Sequence, residues 1–128
     1  FAARWAEALP KWEQQARPLK GLAVVAHHKN MAYLWAWLGM REVATLEPKP
    51  GVEPSAGHLG ALNSLLAKQP AKLVVRAAYQ DPRASQWLAE HARIPAVALP
   101  FTVGGNDKAT DLFSLFDNTL ALLLEAAK

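Results

Sequence analysis

A chain of 128 residues with 52% hydrophobic and 20% charged positions has enough apolar content for one packed core, and its formal charge of +3 is scattered without a basic run. That balance excludes a disordered chain and gives nucleic-acid binding no electrostatic footprint. The absence of cysteine removes disulfides, thiolate metal sites and cysteine nucleophiles together.

From Phe1 to Arg17, Trp5, Leu9 and Trp12 share one helical stripe, while Arg4, Glu7, Lys11 and Glu13 lie elsewhere. An amphipathic helix is predicted, kinked or broken at Pro10. Its two tryptophans need a surface to cover, either this domain or a partner. Arg17 to Gly21 reads as a linker. Leu22 to Ala26 is the continuous apolar run of a parallel strand covered on both faces, and it stops at His27 and His28. Asn30 is the predicted N-cap of a helix that turns Met31, Leu34, Trp35 and Leu38 inward and closes at Gly39. Glu42 to Leu46 is a second strand. The loop Glu47-Pro48-Lys49-Pro50-Gly51-Val52-Glu53-Pro54 is stiffened by its prolines. Ser55 then caps a helix through about Lys68, with Leu59, Leu62, Leu65 and Leu66 at helical spacing.

Lys72 to Arg76 is the third strand, and Asp81-Pro82 opens a helix that buries Trp87 and Leu88 and ends near Arg93. Ile94 to Leu99 is the fourth strand. A glycine-containing loop, Pro100 to Asp107, leads to a closing helix from Thr110 to Ala127 with Leu112, Phe113, Leu115, Phe116 and Leu120 as its apolar positions. Four strands alternating with helices imply an α/β, Rossmann-like parallel sheet with helices on both faces and right-handed crossovers. Ligands of such sheets sit beyond the carboxyl ends of the strands. No apolar stretch reaches the roughly 18 residues of a membrane span. The chain starts at Phe1 without an initiator Met or a signal peptide, so a processed or truncated product is expected.

The carboxyl edge is where the chemistry collects. Adjacent side chains leaving a strand point to opposite sides, so one of His27 and His28 reaches the cleft, and their order does not say which. A neutral imidazole is a common zinc ligand whose second nitrogen needs an orienting partner. His58, in the first turns of a helix, reads as a solvated residue, and His91 follows Glu90 near a helix C-terminus, where a cation complements the dipole. Glu47, Asp81 and Asp107 bring acid to the same edge, although Asp81, Asp107 and Asp111 are also placed to cap helices. Gly104-Gly105 offers a weak phosphate cradle without a Walker lysine. No nucleophile elbow, His-Glu-x-x-His or catalytic triad is present. The chain offers ligands without a nucleophile, and the competing reading is a Rossmann-like nucleotide- or phosphate-binding domain of an enzyme.

Three runs carry a resemblance: Val24 to Leu34 (VVAHHKNMAYL), Leu46 to Leu59 (LEPKPGVEPSAGHL), and Thr102 to Gly105 (TVGG) with Asp111 to Asp117 (DLFSLFD). Over essentially the whole chain they resemble the C-terminal lobe of the ABC-transporter solute-binding proteins for zinc and manganese, a family that includes adhesin-like lipoproteins. The resemblance implies two Rossmann-like lobes joined by a long helix, with a divalent ion held between them. Residues 1–20 would then be the end of that helix and residues 21–128 the C-terminal lobe, with the N-terminal lobe absent. It also selects His28 over His27 as a metal ligand, five residues before the aromatic Tyr33. The family's acidic ligand in the loop after the fourth strand has no direct counterpart in Pro100 to Gly105, and Asp107 is the nearest substitute.

The implied activity is capture without catalysis. A periplasmic or membrane-anchored receptor would bind zinc, or manganese, and dock on the permease of its transporter. An imidazole-rich site favours zinc, and acidification would protonate the donor and weaken binding. Cut from its partner lobe, the piece would bind metal poorly and could pair through Trp5 and Trp12 into a dimer.

Overall fold

The computed structural model describes residues 1–128. Its elements, in chain order, are α1 (Ala2–Gln15), a 3-10 turn (Arg17–Leu19), β1 (Ala23–Ala26), α2 (Ala32–Leu38), β2 (Arg41–Thr45), α3 (Ala56–Lys68), β3 (Leu73–Ala77), α4 (Arg83–Ala92), β4 (Ala96–Leu99) and α5 (Leu112–Ala126). The four strands form one sheet in the order β2-β1-β3-β4, and every pairing is parallel. The expected Rossmann-like architecture is therefore present.

Strand parity divides the core. Val24, Leu73, Val75 and Ala77 face the layer of α1, α2 and α5, whereas Ala23, Val25 and Val74 face α3 and α4. Val24, Val25, Val74 and Val75 are fully enclosed. Burial of each such side chain contributes about 1.5–3 kcal/mol. The chain leaves β1 for one layer and β3 for the other, so the crevice at which the strand order reverses lies between these two neighbours.

The linker expected at Arg17 to Gly21 is a tight turn that fully buries Leu19. Pro10 does not break α1, which runs through it. Pro10 and Ala6, whose carbonyl loses its helical partner, are both exposed, so the freed acceptor is open to solvent. The tryptophans of α1 cover this domain. Trp12 is buried, donates its ring N–H to Asp117 at 2.7 Å and stacks on Phe116, while Trp5 packs edge-on against Phe113 and Phe116. The exposed tryptophan surface expected to drive dimer formation is thus absent. No helix is long and apolar enough to cross a membrane.

Candidate functional site

The carboxyl end of β1 presents its two histidines differently. His27 continues the parity of Ala23 and Val25, is 7% exposed and donates its amide to Val75 at 2.8 Å. Its Nε2 lies 3.8 Å from a carboxylate oxygen of Glu47, and its Nδ1 has no partner. Burial holds the His27 ring below the ordinary histidine range against the opposing pull of Glu47, so the ring is neutral at pH 7. His28 has the opposite parity and is half-buried. Its Nδ1 lies 2.5 Å from Glu47 Oε1, and its Nε2 makes no hydrogen bond within the protein.

Glu47 is the residue that the two histidines share. It follows β2, and its amide donates to the His27 carbonyl at 3.1 Å, extending the ladder beyond the last strand residues. Oε1 also accepts from the Gly51 amide at 3.2 Å, and the Glu47 carbonyl accepts from Thr45 Oγ1 at 2.8 Å. Burial alone would push the Glu47 carboxyl up. The hydrogen bond from His28, the Gly51 amide and the two nearby histidines more than offset it, and the group titrates below its usual range. Glu47 stands in the sequence as one acid among three at this edge, and only the sheet register pairs it with His28.

Two other histidines prove structural. His58 is strapped across the sheet edge, its Nε2 donating to the Thr45 carbonyl at 2.9 Å, and so is not the solvated residue expected. His91 stacks on Trp87 and donates Nδ1 to the Trp87 carbonyl at 2.8 Å. Asp81 accepts from the Arg83 amide and holds the Arg83 side chain in a bidentate pair, so the helix begins one residue later than Asp81-Pro82 implied.

The loop after β4 closes on itself. Gly104 donates its amide to Ala109 at 2.7 Å and Gly105 donates to Thr102 at 2.9 Å, so neither is left to cradle a phosphate. A Cβ on Gly105 would stand 1.8 Å from the Pro100 carbonyl oxygen, which explains that glycine by close approach. Asn106 caps the Lys108 and Ala109 amides and reaches Asn118. Asp107 is exposed, and no hydrogen bond or ion pair joins it to His28 or to any other side chain. Asp111, by contrast, forms a capping box with Ser114 at the start of α5.

The segment that follows His28 meets an apolar and aromatic part of the edge. Asn30 does not cap α2; its amide reaches the Tyr79 hydroxyl at 3.4 Å, and Tyr79 meets Phe101 edge-on. A groove of about 190 Å³ runs between Met31 and Leu34 on one side and Phe101 and Leu115 on the other, with Tyr33 94% exposed at its lip. No three histidine, aspartate or glutamate side chains converge to hold an ion by themselves.

A family model described as "Zinc-uptake complex component A periplasmic", ZnuA, matches residues 1–126. The chain belongs to this family. ZnuA-like proteins are metal-binding, periplasmic solute-binding components of transport systems. Among curated proteins none matches the sequence. Solved structures agree on the fold. A crystal structure of ZnuA superposes with a TM-score of 0.75 at 18% identity, over 98% of this chain and 45% of that one. The solute-binding protein FpvC of Pseudomonas aeruginosa in complex with Mn2+ gives 0.68 at 16% identity, covering 98% and 49%. The laminin-binding protein Lmb of Streptococcus agalactiae, a bifunctional protein with adhesin and metal transporting activity, gives 0.69 at 16% identity, covering 96% and 48%. The chain spans under half the length of these ZnuA-like proteins.

Proposed function

We propose that residues 21–128 are the C-terminal lobe, and residues 1–20 the end of the interlobe helix, of a receptor that captures a divalent metal ion between two lobes and delivers it to the permease of an ABC-type uptake system. The receptor acts in the periplasm or anchored to the outer face of a membrane. The observation that carries this reading is the bare Nε2 of His28 at the carboxyl edge of the sheet, on a ring whose other nitrogen is already engaged. An imidazole so held turns its Nε2 towards a borderline cation, and zinc is the proposed cargo, with manganese second because it prefers oxygen ligands. The lobe lacks a complete ligand set of its own, which fits a site finished by a second lobe. Asp107 is the proposed acidic donor of this lobe, supported by its place in the loop after β4 alone.

The reading involves binding and release without bond chemistry. The enzyme alternative loses its main support with the engaged amides of Gly104 and Gly105. A competitive zinc titration against a chromogenic chelator, on this chain and on the same chain joined to an N-terminal lobe, tests the proposal. Tight binding by the two-lobed protein and weak binding by the single lobe is the expected result. Equal, weak binding by both would remove the receptor reading.

A further inference from the structure

The geometry points to Glu47 as the positioning residue of this site: its carboxylate, pinned by the Gly51 amide, fixes the tautomer and orientation of His28 so that the Nε2 lone pair faces outward. The inference rests on the proposed role of His28 as a metal donor.

Three observations combine. Ala26 is level with Thr45 in the parallel ladder, and the Leu46 and Glu47 amides continue that ladder to Ala26 and His27, so His28 and Glu47 emerge side by side. The carboxylate offers only lone pairs, so the proton in the 2.5 Å contact belongs to His28 Nδ1, and the tautomer this selects for the neutral ring carries its lone pair on Nε2. A neutral imidazole in water favours the opposite tautomer, and its ring torsion is broad, so an unsupported His28 would have to select both on binding.

The third observation concerns Glu47 itself. A glutamate has three side-chain torsions and on an open edge would wander. Here the Pro48-Lys49-Pro50-Gly51 turn brings the Gly51 amide back onto Oε1 at 3.2 Å, with Gly51 at φ 82°, a conformation that favours glycine. The other oxygen, Oε2, faces His27. Oε1 is thereby located before any ion arrives. The stiff Glu-Pro-Lys-Pro-Gly segment works as a clamp on a side chain that in turn clamps a ligand, the relation by which residues behind a metal's direct ligands tune affinity.

The test uses the intact two-lobed protein, metal-free and labelled with 15N-histidine, with the His28 signals assigned by their loss in His28→Gln. Wild type should show a protonated Nδ1 and a bare Nε2 at His28. Glu47→Gln keeps the shape but can donate as well as accept, and should give a tautomer mixture with a zinc affinity about 10- to 100-fold lower at unchanged melting temperature. Gly51→Ala, whose added methyl meets nothing but strains the turn that aims the Gly51 amide at Glu47, should move the same signals part of the way. A wild-type His28 protonated at Nε2, or a tautomer unmoved by Glu47→Gln, overturns the inference. So does a zinc affinity that falls in His28→Ala but not in Glu47→Gln. A tautomer that shifts as expected while neither Glu47→Gln nor His28→Ala changes zinc affinity would leave the positioning intact and remove the metal reading instead.

Discussion

The loops that follow β2 and β4 lie on the same edge of the sheet, and both are built from proline and glycine. In the first, Gly51 turns its amide onto a side chain, and that side chain orders His28. In the second, Gly104 and Gly105 turn their amides onto backbone carbonyls, Asn106 caps two more, and Asp107 is left in solvent without a partner. The contrast teaches that glycine and acid at a strand's end do not by themselves define a site. What distinguishes the first loop is that its polar groups converge on a side chain with a free donor atom. The second loop uses its polar groups to hold its own shape.

The strongest test of that contrast is to remove the free donor. His28→Ala in this chain joined to an N-terminal lobe, as proposed above, should lower zinc affinity by at least the roughly 10- to 100-fold that follows loss of a ligand's supporting residue. Replacing His27 with Leu should weaken binding less than His28→Ala, because its buried ring reaches the site only through Glu47 Oε2 at 3.8 Å. Asp107→Ala should weaken binding less than His28→Ala, and equal losses would erase the difference between the loops. All three are read by chelator competition.

The second loop breaks differently. Gly105→Ala forces a methyl into the Pro100 carbonyl, and an overpacked site of this kind costs about 1–3 kcal/mol, read as a lowered midpoint in chemical denaturation. Asp111→Ala, which removes the capping box at the end of the same segment, should cost about 1 kcal/mol on the same measurement.

The smallest effect is electrostatic. Hydrogen bonds from the Arg83 side chain and amide hold the exposed Asp81 carboxyl at about 2, against an ordinary value of 3.8. A depressed carboxyl stabilises the fold above its unfolded value and loses that contribution as pH falls through its folded one. The stability gap between wild type and Asp81→Asn should therefore be steady above about pH 4 and close towards pH 2, followed by urea denaturation across that range. A gap that persists at pH 2 would show that the pair acts through geometry alone.

Much of the fold can be read from local patterns, and the exceptions share a cause. Val24-Val25 and Val74-Val75 announce buried strands by composition, and Ser55 and Gly39 mark helix ends through their own backbone chemistry, as the structure bears out. Asn30 misleads because the Tyr79 hydroxyl, from a distant strand end, competes for its side chain. His58 misleads likewise, because the acceptor it finds is the Thr45 carbonyl. Parity separates His27 from His28, yet only the placement of α3 and α4 says which side is enclosed. The pairing of Glu47 with His28 depends on the register between two parallel strands linked by a crossover helix, which no local spacing encodes.

The interlocked aromatics of α1 also have a mechanical meaning. With Trp12 hydrogen-bonded to Asp117 and stacked on Phe116, α1 and α5 are joined by both a polar and an aromatic contact. A 14-residue helix is about 21 Å long, so a tilt of roughly 5° about one end sweeps the other through about 2 Å. A joint of this kind passes any force on α1 into the core layer that backs Val24 of β1, the strand that leads to His28.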